Sequence, residues 1–167
     1  VDLSNLGVFR PTVFADDGSP NSLRAAIQQA NALDLQAVPN GGYIILAPGV
    51  YTLSIAGRGE DLAAGGDLDI TGRVTIASDG AGPVTINASG IDRVFDVRPG
   101  ATLALDRVTI TGGVAIDEDG GGVRNSGALT ILRSAVENNA AQRGGGVWSA
   151  TLATITDSAV VANQAAQ

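Results

Sequence analysis

From residue 43 onward the chain alternates apolar and polar positions with a period of two, in short β-branched runs. The runs cover residues 43–46, 51–53, 68–70, 74–76, 84–86, 94–97, 103–105, 108–110, 129–131 and 147–148. Such alternation predicts strands with one buried face. Gly, Asn, Asp and Ser turns separate them, and no helical segment intervenes, which argues against βαβ units. Residues 1–42 read differently. Ser22 is a good helix N-cap after the turn-forming Asp17-Gly18-Ser19-Pro20-Asn21. Leu23, Ala26, Ile27, Ala30 and Leu33 follow at helical spacing as one apolar stripe, and Arg24, Gln28, Gln29 and Asn31 cover the other face. Asp34 and then Pro39-Asn40-Gly41-Gly42 end the element. An N-terminal cap over 1–42 with a helix near 22–33 is expected.

The strands belong to an internal repeat. Gly120-Gly121-Gly122-Val123 recurs 24 residues later as Gly144-Gly145-Gly146-Val147. The same shift maps Thr130-Ile131 onto Thr154-Ile155, Ser134-Ala135-Val136 onto Ser158-Ala159-Val160, and Asn139 onto Asn163. Leu103, Leu105, Val108 and Ile110 form a looser upstream unit. One such unit cannot bury its own apolar residues. Stacked about 4.8 Å above a neighbour, it builds a continuous core of Val, Ile and Leu. Asn139 and Asn163 then lie above one another and form an amide ladder that satisfies turn backbone groups. The expected fold is all-β: a right-handed, single-stranded parallel β-helix of about five coils over 43–167, with a capping α-helix across its N-terminal end. Register is open at one place. Gly127-Ala128-Leu129-Thr130-Ile131 faces Thr151-Leu152-Ala153-Thr154-Ile155, so either Ala153 points inward or a shift of one brings Leu152 in.

Composition narrows the function classes. Gly, at 23 of 167 residues, is about twice its usual share, while aromatic residues make up 4%. A narrow column of small branched side chains needs few rings. The net charge of −7 argues against nucleic acid and against anionic membrane surfaces. With no Cys and no His, thiol chemistry, disulfides, imidazole metal ligation and a His-based triad are excluded. No apolar stretch approaches the ~20 residues of a membrane span. The start at Val1, with no Met in the chain, predicts a processed chain or a fragment, any signal peptide being already removed.

Asn21-Ser22-Leu23-Arg24-Ala25-Ala26-Ile27, with Ala30-Asn31-Ala32 after it, resembles the "CSLREAI…AN" cap of bacterial secreted β-helix proteins, with Asn21 for its Cys and Ala25 for its Glu. Residues 44–53 and 66–70 resemble the first coils of the same proteins. Gly121-Gly122-Val123 and Gly145-Gly146-Val147 are similar in part to the "GGAI" repeat of polymorphic outer-membrane, autotransporter-like adhesins. Residues 136–139 and 160–163 are similar to their "FxxN" repeat, with Val for Phe. The resemblance spans nearly the whole chain. It implies a pectin-lyase-like fold and a secreted or cell-surface location, and it leaves function open, because the same fold also carries polysaccharide lyases and hydrolases.

Several side chains are candidates for chemistry. Asp67 and Asp69 lie two apart on a strand and share a face, suited to Ca²⁺ binding or to acid–base work on a glycan; the plain alternative is that both face water. No further acid or Arg is clearly placed beside them in the sequence. Asp117-Glu118-Asp119 before Gly120 reads as a flexible acidic loop and a weak metal candidate, short of the six to eight oxygens of a Ca²⁺ cage. Residues 56–66 form an insertion that reads as a surface loop. Trp148 points outward next to inward Val147, and Trp148 or Tyr51 is a candidate platform for a sugar ring. The dispersed Arg residues, among them Arg93, Arg98 and Arg124, read as surface ion-pair partners.

The last repeat, 144–167, is followed by no capping segment, which predicts chain continuation or a protein partner at that coil. The expected function is a non-enzymatic extracellular structural, adhesion or scaffold module of a larger surface protein or assembly, without cofactor. The alternatives are a carbohydrate-active β-helix enzyme and a glycan-binding module.

Overall fold

The computed structural model describes residues 7–166, so the ends of the expected cap and coil segments at 1–6 and at Gln167 lie outside the described residues. The chain winds into a parallel β-solenoid of four sheets. The first sheet contains β1 (Gly7–Phe9), β2 (Gly42–Leu46), β5 (Arg73–Ser78), β8 (Thr102–Asp106), β12 (Ala128–Leu132) and β16 (Ala153–Thr156). A second holds β3 (Gly49–Thr52), β6 (Val84–Asn87), β9 (Thr109–Thr111), β13 (Ala135–Glu137) and β17 (Ala159–Val161). The third is β4 (Leu68–Ile70), β7 (Phe95–Val97), β11 (Val123–Asn125) and β15 (Val147–Ser149). The fourth is β10 (Val114–Asp119), β14 (Ala140–Arg143) and β18 (Gln164–Ala165). Five coils were expected; strands β2, β5, β8, β12 and β16 mark about four full turns between them.

Register follows from which residues must face inward. Ile44, Ile76, Leu105, Ile131 and Ile155 align as one spine of the first sheet. Tyr51, Ile86, Ile110, Val136 and Val160 align as the spine of the second. Inside the stack these side chains are almost fully buried, each removal from water contributing about 1.5–3 kcal/mol. The open register resolves toward Ala153, which pairs with Leu129, while Leu152 is left 71% exposed. Ala153 thus takes the inward-facing position above Leu129, itself exposed in this last turn, and Ile155 stays on its spine.

Repeated small and polar residues have mechanical reasons. A Cβ on Gly121 or Gly122 would run into the carbonyl oxygens of Gly145 or Gly146 of the next turn, so only Gly allows the turns to stack there. The Asn ladder forms as expected. Asn139 is 1% exposed, its Nδ2 donates to Asn163 Oδ1 at 3.0 Å and to Ile110 O at 3.1 Å, and its Oδ1 accepts from Gly113 N–H at 2.9 Å.

Helix α1 spans Leu23–Asn31, shorter than the sequence pattern, with the Ser22 hydroxyl accepting from Ala25 N–H at its start. Leu33 lies past its end. The helix packs against β1, β2, β4 and β5 and closes the N-terminal end of the stack. Strands β1, β10, β14 and β18 escape sequence reading. β1 has only three residues. β10 was read as a flexible acidic loop, because only Ala115 of the strand is buried and no apolar alternation marks it.

Candidate functional site

Alternation on the third sheet turns the residue between two core-facing ones outward. In register, this stacks Asp69, Asp96, Arg124 and Trp148 in one column along the solenoid axis. The insertion between β3 and β4 folds back over the start of that column. Glu60 accepts from Leu62 N–H and Gly65 N–H at 3.0 Å, shaping the loop, and Arg58 holds it to Ile91 O at 3.0 Å and Val114 O at 2.9 Å. Ala63 is wholly buried and its N–H donates to Asp69 Oδ2 at 2.9 Å. The loop read as a plain surface segment is therefore a lid packed on the sheet.

Under it the expected water-facing pair is buried: Asp67 is 2% and Asp69 0% exposed. Neither can reach a polymeric substrate in this arrangement. Around them the fold gathers partners that the sequence separates. Arg93 donates to Asp67 Oδ2 at 2.8 Å and also binds Glu118. Arg124 donates to Asp96 Oδ1 at 2.9 Å and Oδ2 at 2.5 Å. Arg98 bridges Asp96 Oδ2 at 2.8 Å and Asp61 Oδ1 at 2.7 Å. Carboxylate oxygens of Asp61, Asp69 and Asp96 all lie within 4.8 Å of one another.

Electrostatics differ sharply across the cluster. Burial, reinforced by the charge of Asp69, pushes the Asp67 carboxyl up to about 7 against the pull of Arg93. Asp69 is pushed up to about 6, again by burial, with Asp96, Glu60 and Asp61 adding repulsion and the Ala63 N–H opposing it. Burial works the same way on Asp96, but the Arg124 and Arg98 guanidiniums overcome it and hold its carboxyl below the usual range. Among the described residues Asp69 has no cationic partner, and its buried Oδ1 accepts no hydrogen bond.

The other candidates do not join this cluster. Asp119 pairs with Arg143 at 2.7 and 2.8 Å, Glu118 turns to Arg93 and Arg124, and Asp117 stays exposed, so the three acids diverge along strand β10. Tyr51 is 1% exposed and donates to Ala47 O at 3.2 Å, which makes it a core residue and not a sugar platform. Trp148 does face outward, half-buried, with the Arg143 guanidinium 6.0 Å from its ring centre. It lines an open cleft of about 280 Å³ with Arg98, Asp119, Arg124 and Ser126, Asp96 lying at its base.

Asp61, Asp96, Arg93, Arg98 and Arg124 were missed as site residues. One signal was present: Leu68-Asp69-Ile70 and Phe95-Asp96-Val97 share the pattern of an acid between two core positions. Comparison with family models, curated proteins and solved structures gives no match to this chain. No described helix is long and apolar enough to cross a membrane.

Proposed function

We propose that the chain is a non-enzymatic scaffold module of an extracellular assembly, whose turn formed by β16, β17 and β18 receives a further β-rung from a protein partner. One observation carries this. Ile155 and Val160 are each 43% exposed, whereas their counterparts one turn earlier, Ile131 and Val136, are fully buried. Among the described residues, strands β16, β17 and β18 carry core-type side chains with no further rung stacked on them, a surface shaped for parallel strand addition. At the opposite end α1 packs across β1, β2, β4 and β5. The extracellular setting is supported by the resemblance of the cap sequence to secreted β-helix proteins.

Analytical ultracentrifugation of the chain and of an Ile155→Lys/Val160→Lys variant tests the proposal. Concentration-dependent association that the double variant abolishes is expected. A monodisperse monomer at all concentrations, with slow amide exchange in strands β16 and β17, would count against it.

The cleft beside Trp148 favours a second reading, glycan binding by the module's flank. An aromatic face next to Arg124, Asp119 and Ser126 offers stacking and hydrogen bonds to a sugar ring. Loss of binding in Trp148→Ala on a glycan array is the expected signature, and silence of the wild-type chain disposes of it. Cleavage of the glycan is disfavoured because the carboxylates with raised pKa sit beneath the loop.

A further inference from the structure

Three guanidiniums stand around the cleft beside Trp148, and each is already matched to carboxylates. Arg124 donates three hydrogen bonds, two to Asp96 and one to Glu118. Arg98 donates three, to Asp96 and to both oxygens of Asp61. Arg143 donates two, one to each oxygen of Asp119. No cation at the cleft is therefore left over for a charged ligand. Hydrogen-bonding capacity does remain. A guanidinium carries five N–H groups and each carboxylate oxygen two lone pairs, so Arg98 and Arg124 keep spare donors and Asp119 keeps spare acceptor sites. Ser126 adds a hydroxyl. The Arg143 guanidinium, 6.0 Å from the ring centre of Trp148, stands beyond the about 3.5–4.0 Å of direct contact and leaves the indole open to a ligand.

We propose that the Trp148 cleft selects an uncharged pyranose of a neutral glycan and rejects uronate and sulfated sugars. The inference rests on the cleft being a glycan site and adds the chemical class it takes. A sugar hydroxyl donates and accepts at once, so it can use an Asp119 oxygen and a spare Arg124 N–H together, while the C–H face of the ring lies on the indole. A carboxylate or sulfate only accepts, and it would bring its charge beside Asp96 and Asp119. To be neutralised it must draw a guanidinium away from one of them. Asp96, at the base of the cleft, has a side chain 2% exposed, so losing Arg124 or Arg98 would leave a buried charge uncompensated.

Trp148 is the only Trp of the chain, so its emission reports this cleft directly. Fluorescence and calorimetric titration with glucose-, xylose- and mannose-based oligosaccharides, against galacturonate and sulfated oligosaccharides of equal length, tests the proposal. A neutral series is expected to shift the Trp148 emission and to bind at least about tenfold more tightly than the anionic ones. Its affinity should hold from low salt to about 1 M NaCl, where charge–charge attraction is screened within about 3 Å. Trp148→Phe should weaken binding and Trp148→Ala abolish it in the calorimeter. Asp119→Asn should raise galacturonate affinity about tenfold by setting the Arg143 charge free, a gain that damage to the fold does not produce. Anionic glycans binding as tightly as neutral ones, or binding lost in salt, overturns the selectivity and leaves the glycan site standing. Calorimetric binding without any change in Trp148 emission overturns it too, by moving the sugar elsewhere. Silence with every glycan in both measurements removes the glycan site itself and the selectivity with it.

Discussion

Arg24 and Asp16 form a bidentate ion pair sealed inside the molecule, Nε meeting Oδ1 and Nη2 meeting Oδ2 at 2.8 Å, with both side chains 3% exposed. Helical spacing puts Arg24 on the polar face of α1, yet its side chain is buried while Gln28 and Gln29 on that face stay exposed. Its remaining donors reach Gly66 O at 2.8 Å, Asp67 O at 3.0 Å and Ala63 O at 3.2 Å, while Asp16 accepts from Ser54 N–H and Ile55 N–H. One pair therefore joins the cap, the helix and the loop over the carboxylate cluster. Burial alone would raise the Asp16 carboxyl, but Arg24 and the Ser54 N–H hold it below the usual range.

Removing one partner leaves the other charge buried and uncompensated. Arg24→Ala is expected to destabilise the chain by about 3–5 kcal/mol in urea denaturation. Arg24→Lys should recover only part of this, because an ammonium cannot reproduce the fork that spans the carboxylate and three carbonyls. Equal stability of wild type and Arg24→Ala would show that the pair does not hold the cap.

Stability should depend on pH with an unusual slope. Asp67 and Asp69 keep their protons to about 7 and about 6 in the folded chain, against 3.8 for an ordinary Asp. Between those limits the folded state binds more protons than the unfolded one, so their contribution is complete below the ordinary value and is lost as pH rises through 6 and 7. Asp16 and Asp96 act oppositely: their carboxyls are lowered, so their contribution fades as pH falls below the ordinary value. In EDTA, the urea midpoint should peak in mildly acidic buffer and decline toward alkaline pH. Asp69→Asn should flatten the decline; an unchanged slope rules out Asp69 as a source.

The amide ladder should be costly to break. Asn139→Ala strands the Gly113 N–H and removes the donors to Ile110 O and Asn163, leaving buried polar groups that each cost about 1–3 kcal/mol. Denaturation should report a loss of about 2–4 kcal/mol in total. Asn139→Asp should cost at least as much, because it sets a buried carboxylate oxygen against the Ile110, Glu137 and Asn163 oxygens that Nδ2 now donates to.

Equivalent positions on one spine should respond unequally. Ile131→Ala removes a fully buried side chain and is expected to cost about 2–5 kcal/mol. Ile155→Ala, one turn later and 43% exposed, should cost under about half as much in the isolated chain. When a further rung docks, the two costs should converge, which comparing the variants with and without the bound rung will reveal.

Local pattern was enough for the solenoid. Period-two runs, Gly-rich turns and the 24-residue shift place Ile131 beneath Ile155 and Asn139 beneath Asn163, because each turn can bury its apolar residues only against an identical neighbour. Ser22 and the stripe from Leu23 to Ala30 likewise mark the capping helix, since a cap and a spacing of 3.6 are properties of contiguous residues. What contiguous residues do not encode is who sits across a turn. Asp69 and Asp96 are 27 positions apart and meet only because two unequal turns bring β4 and β7 into register. Whether Asp67 and Asp69 face water depends on where the 54–66 loop comes to rest, and that is decided by long-range contacts, Arg24 to Gly66, Arg58 to Ile91 and Arg98 to Asp61 among them, which form only once the chain is wound.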